Sequence, residues 1–223
     1  MKKALLIPLV IGLVLAYYNY SKAHALPASK TALVQQKKTP KFMDGDIIFQ
    51  SSEYGQSKAV QLATGSRYSH VGILFHRDGK AYVLEAVQPV KTTLLSDWIK
   101  HGTNKHYVVK RLKNRDEILT AGVLQKMYKM GANWIGKDYD LFFGWSDDRI
   151  YCSELVWKLY NVHTGLQLGN LQKLKDFDLT HPAVKQIMRE RYGDNIPWEE
   201  ETISPGEMFD SPLLQTVHTS SSL

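Results

Sequence analysis

Two β-prone runs joined by a tight turn constrain this chain more than any other feature. Residues 69–75 and 81–87 are apolar, and Asp78-Gly79 between them is a hairpin turn signal. Pairing Arg77 with Lys80 across the turn sets Gly72 opposite Glu85 and His70 opposite Val87. His70 and Glu85 are then diagonal neighbours on one face, and Gly72, lacking a side chain, leaves the carboxylate room to reach the imidazole. A register shift of one residue sends Glu85 to the other face, so the inference depends on the turn. Taken singly, His70 reads as a satisfied core histidine and Glu85 as a solvent-facing carboxylate. Their shared face weakens both readings.

The second informative stretch runs from Asp147 to Tyr160 and holds the single cysteine, Cys152. Leu155, Val156 and Leu159 follow it at helical spacing, so all four residues share one inward face. The sulfur is thereby expected in the first turn, where unpaired amides and the helix dipole favour a thiolate. Asp147 and Asp148 are candidate caps for this helix. The alternative is a structural thiol, because free Cys is among the most buried residue types.

The net charge of +6 hints at nucleic acid or membrane. Its placement says otherwise. Seven of the 28 Lys and Arg precede Phe42, where no acid occurs, so 21 basic side chains face 22 acidic ones from there on. A nucleic-acid partner is therefore not expected. Met1-Lys2-Lys3 and the apolar run 4–16 have the pattern of a secretory signal, with Ala23-His24-Ala25 as an acceptable cleavage site. We expect a signal over residues 1–25, with an uncleaved anchor as the minority alternative. The expected location is the periplasm, with peripheral membrane association through this segment. Export makes an unpaired thiol notable, since one cysteine cannot form an internal disulfide. Residues 26–41 read as a basic linker, 42–215 as one domain and 216–223 as a loose tail.

Within that domain, 47–49 reads as a strand and 58–64 as a short helix capped by Ser57 and stopped by Gly65. Residues 94–100 suggest another helix, 107–112 a strand, and 116–130 a single helix stopped by Gly131. Residues 134–145 form an aromatic, Gly-bearing loop in which Tyr139 is either core edge or cleft wall. Thr180-His181-Pro182 opens a helix to Arg191, and Ser204-Pro205 a brief helical turn. The eight histidines show no metal-ligand spacing, and no metal or cofactor is expected.

A thiol that attacks a carbonyl needs a base, a group that orients the base, and donors for the oxyanion. Cys152, His70 and Glu85 supply the first three in principle, and the Cys152 backbone N–H is the natural oxyanion donor. The segments 44–49 (Asp-Gly-Asp-Ile-Ile-Phe), 68–72 (Tyr-Ser-His-Val-Gly), 84–86 (Leu-Glu-Ala) and 151–154 (Tyr-Cys-Ser-Glu) occur in that order. In this combination the chain closely resembles the circularly permuted NlpC/p60 hydrolases of the YiiX/YaeF-like, papain-like group. The resemblance implies an α+β fold in which a small antiparallel sheet packs against the helix carrying the cysteine. It also implies Cys152 as nucleophile, His70 as general base and Glu85 as its orienter. Tyr151, Tyr139, Tyr68 and Asp46 are the substrate-binding or oxyanion candidates.

Two functions compete. One is a cysteine hydrolase cleaving an amide, ester or thioester in a small-molecule, lipid-like or peptidoglycan-derived substrate. The other is a non-catalytic envelope ligand-binding module on the same fold. Exposed apolar residues around 134–145 favour an acyl chain; a cleft carboxylate that can take a free α-amine favours wall peptides.

Overall fold

The computed structural model describes residues 41–53 and 55–221. The expected signal, and the expected linker up to its last residue, lie outside the described residues. In chain order the elements are β1 (Ile47–Gln50), α1 (Ser57–Thr64), β2 (His70–Arg77), β3 (Lys80–Glu85), β4 (Lys91–Leu94), α2 (Leu95–Lys100) and β5 (Val108–Leu112). There follow α3 (Arg115–Ile118), α4 (Ala121–Ala132), α5 (Cys152–Thr164), β6 (Gln172–Lys173), α6 (Pro182–Tyr192), β7 (Glu201–Thr202), α7 (Pro205–Phe209) and β8 (Leu214–Thr219). Six strands form an antiparallel sheet in the order β4-β3-β2-β1-β5-β8, and β6 pairs with β7.

Alternation along the strands creates two apolar layers. Ile47, Phe49, Val71, Ile73 and Leu84 face Met127 of α4 and Leu155, Val156, Leu159 and Tyr160 of α5. Ile48, Leu74, Val83 and Val109 project the other way, onto Trp98 of α2. A third cluster joins α1 to α6 through Ala59, Val184 and Met188. Each fully buried Ile, Leu or Phe contributes on the order of 2 kcal/mol.

The β2–β3 hairpin has the register its turn residues dictate. Arg77 pairs with Lys80, and the ladder runs back to Ile73 opposite Leu84. One further step sets Gly72 against Glu85. A Cβ at Gly72 meets Val83 Cγ1 at 2.3 Å and the Leu84 carbonyl at 3.0 Å, so the strands close directly over it. Gly72→Ala is expected to cost about 1–3 kcal/mol through overpacking, seen as a lower urea midpoint with an unchanged m-value. An unchanged midpoint would show that the hairpin gives way freely.

Several local expectations are corrected. Residues 116–130 form two helices, because Thr120 takes an extended conformation and its hydroxyl accepts the Val123 N–H at 3.3 Å, starting α4 afresh. Gly131 lies inside α4, where Leu84 Cδ2 is 2.2 Å from any added Cβ. The residue preceding α1 is Gln56, and the Ser57 hydroxyl instead meets that of Ser69 at 2.5 Å. Residues 216–219, expected in a loose tail, pair with β5 as the edge strand β8.

Candidate active site

Cys152 opens α5 and is 3% exposed. The chain reaches it through a parallel bridge between Tyr139 and Ile150, so the aromatic loop and the start of α5 are set together. Tyr151 is the N-cap, and its backbone N–H donates to the Glu154 carboxylate at 3.2 Å. Asp147 and Asp148 do not cap; Asp147 instead pairs with Lys158 at 2.8 Å. Lys158 also lies 2.7 Å from Glu154. Burial nevertheless pushes the Glu154 carboxyl up, to about 7. The first nine residues of α5 are all buried, on the outer side as well as the inner. Ser153 donates to the Ile203 carbonyl and Trp157 to that of Gly169, so later loops cover the outer side.

Across from the thiol stands His70, the first residue of β2. Its Nε2 is 2.6 Å from Glu85 Oε2, and its ring stacks on Trp98 with centroids 5.8 Å apart. Glu85 is fully buried and committed on both oxygens: Thr93 donates to Oε1 at 2.6 Å and the Trp98 indole N–H to Oε2 at 2.8 Å. Nδ1 is left as the nitrogen for Cys152, with which the imidazole is hydrogen-bonded. Burial opposes charge on both groups. The contacts with Cys152 and Glu85 outweigh it, raising the imidazole to about 10. The thiol is lowered, again against burial, by His70, by the Val71 amide and by Tyr139. Glu85 is held below the usual carboxylate range, burial opposing, by His70, Thr93 and Trp98. All three shifts run in the direction that favours charge: the thiol and carboxyl are lowered and the imidazole is raised.

Two cavities meet at this chain. The first, about 80 Å³, is almost wholly apolar and runs from Cys152 and Tyr151 past Ala59, Ala63, Val184 and Met188. The second, about 590 Å³, has a mixed lining and lies beside His70, with the polar or charged Gln88, Lys91, Glu190 and Arg191 in its wall alongside Val87, Leu141 and Ile187. Tyr139, Gln56 and Arg191 border both.

The sequence profile of the permuted papain-like amidase family, YaeF/YiiX, C92, matches residues 41–218. The chain belongs to that family. Uncharacterized protein YiiX of Escherichia coli (strain K12) is 51% identical over 173 residues, which make up 78% of this chain and 84% of that protein. The crystal structure of metalloprotein yiiX from Escherichia coli O157:H7 superposes with a TM-score of 0.75 at 50% identity, covering 80% of this chain and 97% of that one. The α+β architecture, with its histidine strand ahead of the cysteine helix, is the permuted papain-like fold of this family.

The other candidate residues of this family member fall in two groups. The Tyr139 hydroxyl donates toward Cys152 Sγ at 4.0 Å. The Tyr151 hydroxyl accepts from Thr202 Oγ1 at 2.9 Å and from the Ile203 N–H at 3.1 Å, so it fixes the floor of the apolar cavity. Tyr68 and Asp46 are placed elsewhere, and neither lines a cavity at the site. Tyr68 stacks on Phe209 with centroids 4.1 Å apart. Asp46 precedes the end of β1 opposite to Gln50, the residue that faces His70, and that span is roughly 13 Å. It forms a two-toothed ion pair with Arg111, both bonds 2.7 Å. Sequence reasoning missed Thr93, Trp98 and Arg191. Nothing in the periodicity of 94–100 marks Trp98 as a donor to Glu85; a cross-strand partner only becomes visible once β4 is laid beside β3.

Proposed function

We propose that the protein is a cysteine hydrolase acting on an amphipathic acyl substrate, with Cys152 as nucleophile, His70 as acid and base, and Glu85 as the group that orients His70. The observation that carries this reading is the apolar cavity that begins at the thiol. Tyr139 and Phe143 of the aromatic loop line it, and on the same loop Leu141 and Phe142 are exposed at 48% and 40%, Leu141 in the wall of the second cleft. Among the described residues no carboxylate lines that cavity. Among the described residues Glu190 is the one acid in the wall of the second cleft, and one of its oxygens accepts the Gln186 amide at 2.9 Å. These features favour an acyl chain over a wall peptide.

In this mechanism the Cys152 thiolate attacks the carbonyl carbon, forming a C–S bond and a tetrahedral oxyanion. The Cys152 backbone N–H, at the start of α5, and the Tyr139 hydroxyl supply hydrogen bonds to it. The C–X bond then breaks, and the His70 imidazolium gives its proton to the leaving N, O or S. His70, now neutral, takes a proton from water as the hydroxide adds to the thioester; the C–S bond breaks, the acid leaves, and the Cys152 thiolate and His70 imidazolium are restored. Glu85 holds Nε2 throughout and keeps Nδ1 aimed at the sulfur.

The Escherichia coli O157:H7 relative is called a metalloprotein. Among the described residues of this chain no three His, Cys, Asp or Glu side chains are grouped to hold a metal ion, and both Glu85 oxygens are already engaged. No step is therefore routed through a metal. The proposal includes export, on the strength of the basic start and apolar run at residues 1–16. Among the described residues no helix is long and apolar enough to cross a membrane.

The test is turnover of p-nitrophenyl esters of increasing chain length, acyl-CoA and muropeptides, with Cys152→Ala as control. Acyl substrates should be cleaved in preference to muropeptides, and only when Cys152 is present; muropeptide preference overturns the acyl assignment. Ala63 is half-buried in the wall of the apolar cavity. Ala63→Phe should lower kcat/KM for a hexanoate ester roughly tenfold while sparing the acetate, since each methylene excluded from an apolar pocket removes binding energy. Equal losses on both esters would place the chain elsewhere.

A further inference from the structure

Arg191, near the end of α6, is a half-buried cation at the junction of the two cavities. Its Nη2 donates to Gln56 Oε1 at 2.6 Å, and its guanidinium carbon lies 5.2 Å above the centre of the Phe143 ring. Among the described residues no carboxylate stands within ion-pair distance of it. The acids nearest in sequence and space are occupied: Glu190 takes the Gln186 amide, and Asp140 takes the Phe142 and Gly144 amides at 2.9 and 2.8 Å. Lys91, in the wall of the second cleft, also has no ion-pair partner among the described residues. A desolvated guanidinium without a counter-ion is costly unless a ligand supplies one. Burial draws the Arg191 pKa below the usual arginine value, and the more distant Tyr139, Tyr192, Glu190 and Asp140 offset it only in part.

The arrangement also has a polarity. Cys152 lines the apolar cavity, and His70 the second cleft, whose wall carries Lys91 and Arg191. On the proposed mechanism, on which this inference rests, the acyl portion bonds to the sulfur and the leaving atom takes its proton from the imidazole. The acyl chain therefore belongs on the cysteine side and the leaving portion on the histidine side, where both free cations stand. We infer that the substrate carries a carboxylate or phosphate on its leaving portion, and that Arg191, assisted by Lys91, reads that anion in the cleft beside His70. An acylated amino acid and an acylated phosphate-bearing alcohol both fit this description. The planar fork of the guanidinium suits either anion through paired hydrogen bonds.

The experiment compares three nitrophenyl hexanoates on the full chain: one with a ring carboxylate, one with a ring phosphate, and the neutral methyl carboxylate twin. The parent protein should cleave at least one of the anionic esters with kcat/KM about tenfold or more above the neutral twin, the range of a charge-assisted hydrogen bond. Arg191→Gln should bring that ratio close to one, Arg191→Lys should keep only part of it because a lone ammonium cannot make the paired hydrogen bonds, and Lys91→Gln should reduce it by a smaller factor. Whichever anionic ester shows the larger ratio identifies the anion. Cysteine-dependent cleavage of all three esters at equal rates removes the Arg191 assignment and leaves the hydrolase standing. A ratio that survives Arg191→Gln does the same. If no ester is cleaved in a Cys152-dependent way, the hydrolase reading falls and takes this inference with it. Should Arg191→Gln fail to fold for want of its bond to Gln56, the parent ratio and the Lys91→Gln ratio still decide.

Discussion

His70→Ala is expected to lower kcat/KM by on the order of a thousandfold or more, because it removes the base, the acid and the counter-ion of the thiolate together. Loss of the imidazolium also lets the Cys152 thiol rise from its lowered pKa to the free value of about 8.5 or higher, since burial is then unopposed. Glu85→Gln should act in the same direction but more weakly, by roughly 10- to 100-fold, as an amide still fills the space between Trp98 and Thr93 but no longer stabilises a charged imidazole. In the parent, kcat/KM should rise as the thiol ionises below the usual thiol range. It should fall again only near pH 10, where the imidazolium of the free enzyme loses its proton. A profile that falls near neutrality would show that His70 is not stabilised as a cation. Activity in His70→Ala within tenfold of the parent would remove His70 from the mechanism.

Asp46→Ala should be among the most destabilising single changes outside the site, and its effect should fall on stability alone. The Asp46 carboxylate is fully buried, holds Arg111 through two bonds and accepts the Met43 N–H at 2.8 Å. Removing it leaves a largely buried guanidinium without its partner, a loss of about 3–5 kcal/mol. This pair ties the start of β1 to β5, far along the strand from His70. Urea unfolding should therefore show a much lower midpoint, while kcat per folded molecule remains that of the parent. A kcat loss at full stability would return Asp46 to the active site.

The parts of this protein that were legible in its sequence are those fixed by short-range chemistry. Asp78-Gly79 sets a two-residue turn, and the turn alone decides which residues share a face with His70. Gly65 ends α1 in the left-handed conformation that glycine favours. Cys152 begins a helix whose inward positions follow its own periodicity. The parts that were not legible depend on distant segments. The polar outer side of α5 is covered at Ser153 by the Ile203 segment, 50 residues on, and at Lys158 by Trp145 and Asp147 of the loop before the helix, so the burial of these polar side chains does not follow from the helix's own pattern. Gly131 resembles a helix stop, but its meaning lies in the close approach of Leu84 from another element. Residues 214–219 lack the alternation of a strong strand and become one only because β5 offers a free edge. Arg191 stands near the end of an ordinary polar helix; only the packing of α6 against α1 brings it to the junction of the cavities.

The central claim is that Cys152 is held as a thiolate by His70. The direct measurement is the rate of iodoacetamide alkylation of Cys152 as a function of pH, read by mass spectrometry on the intact full chain. The account predicts an inflection well below the free thiol value of about 8.5, displaced to that value or above in His70→Ala. Reaction of the parent only at alkaline pH, unchanged by His70→Ala, would contradict it.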